Sequence, residues 1–166
     1  MSFEINAQRL WKRLPPAERA AAAAAFFKEP PQELLGAALG AVVRARKLRP
    51  QVARSLPPES LARILASVID PGEALSAALL VGLHLNDRRA MLVTFLDAVG
   101  LPHEDGLLKE DDPGGPLDEE RARAGLQALR EKWPEEQVQI YLNTLWLQDH
   151  ERWAVLDDAR FQAPPA

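Results

Sequence analysis

The sequence predicts an all-α fold of stacked helix pairs, and three observations predict it. Proline falls just ahead of a carboxylate five times, at Pro15-Pro16-Ala17-Glu18, Pro30-Pro31-Gln32-Glu33, Pro57-Pro58-Glu59, Pro71-Gly72-Glu73 and Pro134-Glu135-Glu136. Proline suits a first helical turn because its missing N–H would have found no partner there, and a nearby glutamate meets the positive end of the helix dipole. Apolar residues then recur at helical spacing behind these starts. Strand signals are missing: β-branched residues are scarce, with only two threonines, and no segment alternates apolar and polar residues for long.

In chain order, Asn6 caps a short helix whose Ala7, Leu10, Trp11 and Leu14 fall on one face. A second helix follows Pro16 and ends near Glu29. The third runs from Pro31 to about Lys47 with a stripe of Leu34, Leu35, Ala38, Leu39, Val42 and Val43. Gly36 and Gly40 lie one turn apart on it, which predicts the close passage of another backbone. Pro50 opens a short helix to Ser55, and Pro58 opens the next, to Ile69. Asp70 and Pro71 supply cap and first position for a helix ending near Asn86, containing the longest apolar run, Ala77 to Leu85. Asp87 caps a helix carrying Met91, Leu92, Phe95, Leu96 and Val99, which Gly100 stops. Residues 101–117 read as one long irregular, acidic connection. Asp118 caps a helix to about Lys132, Pro134 starts one with Val138, Tyr141, Leu142 and Leu145 on a face, and a last turn or two holds Trp153. The tail 162–166 is expected to fray.

Leu14-Pro15-Pro16 recurs as Leu56-Pro57-Pro58, with Ala20 and Ala24 matched by Ala62 and Ala66. A spacing inside the ~40–47 residues of two-helix repeats makes the two pairs either HEAT-like stacked units or bundle-like ones, and any two helices that start at Pro-Pro share this resemblance. The expected organisation is a main helical body over 1–100, an acidic connecting loop over 101–117 and a C-terminal helical hairpin over 118–161, packed on the body.

Composition narrows the chemistry. At 166 residues the chain is long enough to build a core without staples. It has no cysteine, which removes disulfides, thiolate zinc sites and cysteine nucleophiles and fits a reducing cytoplasm, the expected location. Neither the start, with Glu4, nor the run Ala20–Ala25, flanked by charges, reads as a signal peptide, and no stretch approaches a membrane span. A net charge of −4 argues against general nucleic-acid binding.

Between Leu34 and Pro58 there is no acidic residue, while Arg44, Arg46, Lys47, Arg49 and Arg54 fall there. The helix start at Pro50 is also the only proline start without a nearby glutamate, so these five residues form the candidate anion site, for a phosphate, a carboxylate or an acidic partner. The structural alternative is a solvated run that offsets a helix dipole. An opposing acidic run holds Glu104, Asp105, Glu110, Asp111, Asp112, Asp118, Glu119 and Glu120. It lacks the order of a calcium loop and reads as linker, or as a lid over the basic segment. His84 reads as a core histidine. His103 beside Glu104 and Asp105 is the one acid–base or metal candidate, without a helical ligand spacing behind it, and His150 sits at a polar helix end. Ser55, Ser60, Ser67 and Ser76 have no nucleophile turn, and Glu119-Glu120 and Glu135-Glu136 read as dipole partners. Trp146 and Trp153 crowd the last fifth of the chain with Trp133 and Tyr141, and serve either as core anchors or as a partner-binding surface.

The expected function is therefore a non-catalytic, cofactor-free scaffold or interaction module for a protein partner, with no metal and no membrane role. The alternative is binding of an anionic ligand or nucleic acid through residues 44–54, and the third reading is an enzyme using His103.

Overall fold

The computed structural model describes residues 6–109 and 115–157, and among these the chain forms nine α-helices, a two-residue β-hairpin and a final 3-10 turn. The chain divides into two compact units, Met1–Asp87 and Arg88–Ala166.

The first unit holds α1 (Ala7–Arg13), α2 (Pro16–Lys28), α3 (Gln32–Arg46), α4 (Pro50–Ser55), α5 (Pro58–Ala66) and α6 (Glu73–Asp87). Asn6 caps α1 as expected, its Oδ1 accepting from the Arg9 N–H at 2.8 Å. Ala7, Leu10, Trp11 and Leu14 are all buried. At Pro15-Pro16 and Pro57-Pro58 the first proline is the N-cap and the second the first helical residue, while at Pro30-Pro31 the second proline is the N-cap and α3 begins at Gln32, so none of these prolines lacks a donor the helix would have used. Trp11 buries its ring and still satisfies its indole, which donates to the Val68 carbonyl at 2.7 Å.

The start of α6 departs from the sequence reading. Gly72 sits at φ +103, outside the helical region, so Asp70 and Pro71 precede the helix instead of capping and opening it. Glu73 turns its carboxylate onto another helix, accepting from the Ala7 and Gln8 N–H groups of α1 at 2.6 and 3.2 Å. In return the Gln8 side-chain oxygen accepts from the Gly72 N–H at 3.1 Å. Two helix starts, 65 residues apart in sequence, thus satisfy each other's free donors. At its far end α6 extends through Asp87, so Asp87 is helix instead of the cap of the next one, and Arg88 takes the N-cap position of α7 without a side-chain capping hydrogen bond.

Packing within this unit is across the two Pro-Pro segments. α2 lies against α5 and α6, α3 against α4, α5 and α6, and α1 against α6. Each pair therefore uses the other as its main surface. His84 is a core histidine: it is buried, and its Nδ1–H donates to the Leu80 carbonyl at 2.8 Å.

The second unit holds α7 (Arg89–Val99), a hairpin of β1 (His103–Glu104) and β2 (Leu107–Leu108), α8 (Glu119–Lys132), α9 (Glu135–Gln148) and the 3-10 turn Ala154–Asp157. The sequence predicts α7 within the main body. It belongs instead with α8, because its apolar face, Met91, Leu92, Phe95, Leu96 and Val99, is buried where α8 packs on it. That contact is close: a Cβ built on Gly125 of α8 would lie 2.6 Å from Phe95 Cε2 and 2.7 Å from Val99 Cγ1. Gly100 ends α7 at φ +72, and Arg121 completes the end by donating to the Val99 and Gly100 carbonyls at 2.6 and 2.8 Å. Phe95 is the hub of the core, with Tyr141 edge-on at 5.5 Å and Trp153 tilted at 5.7 Å between ring centroids.

Asp118 caps α8 as expected, accepting from the Arg121 N–H at 2.8 Å. The α8–α9 turn is closed by a fork in which Arg130 donates to both Glu135 oxygens at 2.7 and 2.6 Å. That hydrogen bonding holds the Glu135 carboxyl below its ordinary pKa, so the stability it adds is present at neutral pH and is lost as pH falls through the lowered value.

The connection read as irregular carries the hairpin. Asp105 and Gly106 both take positive φ, +50 and +89, as a two-residue turn of the primed type requires. The Asp-Gly pair signals such a turn, but flanking strands of two residues fall below what an alternation pattern can reveal. Glu110, Asp111, Asp112 and the tail 162–166 lie outside the described residues.

Tyr141 is the only tyrosine and is buried, which pushes its phenol far above the ordinary range. Its stabilising contribution is complete below pH ~10 and is lost at higher pH, where only the unfolded state ionises. The expected result is that tyrosinate absorbance near 295 nm stays absent from the folded protein above pH ~10 and rises together with loss of helical circular dichroism. Phenolate formation ahead of unfolding would contradict the packing around Phe95.

Candidate functional site

The five cations of residues 44–54 lie on the corner between α3 and α4 and are all exposed. Arg44 and Arg46 occupy the last turn of α3, Lys47 is its C-cap, Arg49 is the N-cap of α4 and Arg54 lies in the last turn of α4. None of the five is ion-paired to a described residue. The arginines of the second unit are used differently: Arg89 pairs with Asp105, Arg123 with Glu119, Arg130 with Glu135 and Arg152 with Asp149. Charge also divides unevenly along the chain. Residues 1–87 carry 11 lysines and arginines against 8 carboxylates, and residues 88–166 carry 9 against 16.

Arg44 and Arg46 are two residues apart on a helix and so point roughly 200° apart about its axis. The set forms a girdle around the corner and does not converge on one point. Val52, an apolar side chain 44% exposed, stands among the cations on α4.

Lys47 adds a conformational observation. It takes the left-handed conformation, φ +52 and ψ +44, with its N–H and that of Leu48 both bonded to the Val43 carbonyl. Glycine is the residue that fits this position, and a side chain there costs about 1–2 kcal/mol. The chain thus keeps a cation where a glycine would be more stable.

The glycines of α3 do not do what their spacing predicts. Gly36 has no atom within 4 Å of a built Cβ, and Gly40 has only the Arg44 guanidinium of its own helix, at 3.4 Å. No backbone passes there among the described residues. Gly36, Ala37 and Arg44 are exposed and Gly40 partly so, leaving a bare strip one turn below the cations.

His103 is a structural residue in this fold. Its Nδ1 accepts from the Gly106 N–H at 3.0 Å, and its Nε2–H donates to Asp97 at 2.6 Å. Both ring nitrogens are thus hydrogen-bonded in pinning the hairpin to α7. Asp105 holds the turn through Arg89, and Asp118 and Glu119 serve α8. Among the described residues no group of His, Asp and Glu side chains is placed to hold a metal.

The two tryptophans separate. Trp153 is 2% exposed and packed on Phe95, so it is a core anchor and, contrary to the partner-binding expectation, has no surface to offer a partner. A bulky indole was needed to fill the core beside α9. Trp146 is half-buried and stacks on His150, with ring centroids 4.2 Å apart.

Fold and surface together describe a two-unit helical protein with a basic corner that is not ion-paired among the described residues, and no described helix is long and apolar enough to cross a membrane. Comparison with protein-family models, with curated proteins and with solved structures finds no match.

Proposed function

We propose that the protein is a non-catalytic interaction module whose α3–α4 corner docks an acidic segment of a partner protein. The observation that carries this reading is the set of five exposed cations at Arg44, Arg46, Lys47, Arg49 and Arg54, without ion pairs among the described residues and in a sequence stretch free of carboxylates. Their divergence favours an extended partner over a small anion, which needs converging donors. Val52 among them gives an acidic protein segment an apolar contact that a phosphate backbone does not use. The cation kept at the left-handed Lys47 is in line with a role for charge there. A cytoplasmic location fits the absence of cysteine.

The test is binding of a fluorescent polyglutamate peptide at increasing salt, beside a short DNA duplex. Polyglutamate is expected to bind at low salt, to weaken as salt rises and to be lost in the double variant Arg44→Glu, Arg49→Glu. Lys47→Gly is expected to stabilise the fold by about 1 kcal/mol while weakening the peptide. A Lys47→Gly variant that gains stability and binds unchanged removes Lys47 from the surface. Binding of the duplex in preference to polyglutamate would replace this reading by the nucleic-acid one.

A further inference from the structure

We infer that His103 is a proton-operated latch: a second proton on its ring frees the Asp105-Gly106 turn from α7, while the ring itself stays bound to α7. The latch lies in the second unit and is independent of the acidic-partner reading. Two hydrogen bonds to one ring carry it. The Gly106 N–H donates to His103 Nδ1 at 3.0 Å, and a backbone amide can only donate, so Nδ1 carries no proton. The single proton of the neutral ring is therefore on Nε2, which donates to Asp97 Oδ1 at 2.6 Å. A second proton has only Nδ1 to go to, and there it faces the Gly106 N–H, donor against donor. At Nε2 nothing is lost, because the N–H still points to Asp97 and the bond gains a charge.

The turn is held where its release matters. Gly106 is buried, and a Cβ built on it would lie 3.0 Å from Leu92 Cβ and 3.7 Å from Arg89 Cγ, so the turn is seated directly on α7. The His103 side chain is only 11% exposed, so water does not readily replace the acceptor that the Gly106 N–H loses. Beyond the ladder of the two strands, the other described bonds on the turn come from Arg89, which donates to the Asp105 carbonyl at 3.0 Å and to its carboxylate at 3.3 Å. That carboxylate is 72% exposed, and an exposed pair of this kind holds little by itself. The charged groups around the ring, among the described residues, are Asp97 and Arg89 of α7, Glu104 and Asp105 of the hairpin and Lys109 behind it. Arg121 of α8 is occupied on the Val99 and Gly100 carbonyls. Asp97 meets Nε2, and no described carboxylate stands at Nδ1 to accept from it once it is protonated.

The experiment is nuclear magnetic resonance of the isotope-labelled full chain from about pH 8 to about pH 5, the range in which histidine side chains titrate. Ring-nitrogen shifts read the protonation of His103, and amide hydrogen exchange, corrected for its intrinsic rate at each pH, reads the protection of Gly106. The expected result is a neutral ring with its proton on Nε2 at the alkaline end, and a fall of about tenfold in Gly106 protection as the ring takes its second proton. Leu96 and Val99 of α7 are expected to keep their protection over the same range, which separates release of the turn from unfolding. His103→Asn places an amide oxygen close to the Nδ1 position and takes no proton, so its Gly106 is expected to be equally protected at both ends; circular dichroism verifies its fold. Three results on the parent chain alone overturn the inference: a proton on Nδ1 at the alkaline end, a ring that stays neutral down to acid unfolding, or Gly106 protection that survives protonation of the ring. A His103→Asn chain that loses Gly106 protection in acid as the parent does overturns it as well.

Discussion

Replacing Trp153 with alanine is expected to destabilise the second unit by about 3–5 kcal/mol, the range for removing a buried large aromatic. The indole is 2% exposed and shares the core with Phe95 and Tyr141, so the substitution leaves a cavity that helix-borne neighbours cannot close. Native domains are stable by only roughly 0.05–0.15 kcal/mol per residue, so a loss of this size consumes much of what a unit of this length has. The expected readout is a large fall in melting temperature with loss of near-ultraviolet circular dichroism. Trp146→Ala is the control: that ring is half-buried against His150 and its loss is expected to leave the melt close to the parent. A Trp153→Ala variant that melts like the parent would return this residue to the surface and contradict the core.

Much of the fold was legible because its signals are local. A proline start, an Asn6 or Asp118 cap and a stripe at helical period are each contained within one or two turns, and the helices formed where those signals stood. Two of the departures involve a partner distant in sequence. Asp70 and Pro71 look like a helix start until Gly72 takes φ +103 and Glu73 is drawn to the α1 N-terminus. Asp87 looks like a cap, and α6 absorbs it. The assignment of α7 depended on which neighbour its apolar face meets, and a stripe does not name its partner.

The site was legible to a different degree. Arg44, Arg46, Lys47, Arg49 and Arg54 were visible as a run without acids, but their lack of ion pairs and their divergence around a corner are properties of the fold. His103 beside two acids has the composition of a catalytic cluster. It becomes a hairpin pin because Gly106 and Asp97 take both of its nitrogens, and the Gly106 bond exists only once the Asp105-Gly106 turn is formed.

The glycines give the sharpest comparison, because the same substitution is expected to have opposite signs at two helical sites. At Gly125 an added Cβ meets Phe95 and Val99 at 2.6–2.8 Å, closer than carbon atoms approach without something moving. Alanine would gain about 1 kcal/mol of helix propensity there, yet overpacking a closed contact costs about 1–3 kcal/mol and leucine multiplies the atoms to be displaced. Gly125→Ala is thus expected to lower the melting temperature, and Gly125→Leu to separate α8 from α7 and unfold the second unit. Gly36→Ala meets nothing within 4 Å and is expected to raise stability by about 0.5–1 kcal/mol. Thermal melts of the three variants decide the matter, and a stabilised Gly125→Ala would show that α7 and α8 do not pack this closely. Spacing drew attention to Gly36 and Gly40 as the place of close approach; the close approach is at Gly125, whose neighbours in sequence, Ala124 and Leu126, carry no sign of it. Only the pairing of α8 with the Phe95 face of α7 creates the demand for a residue without a side chain.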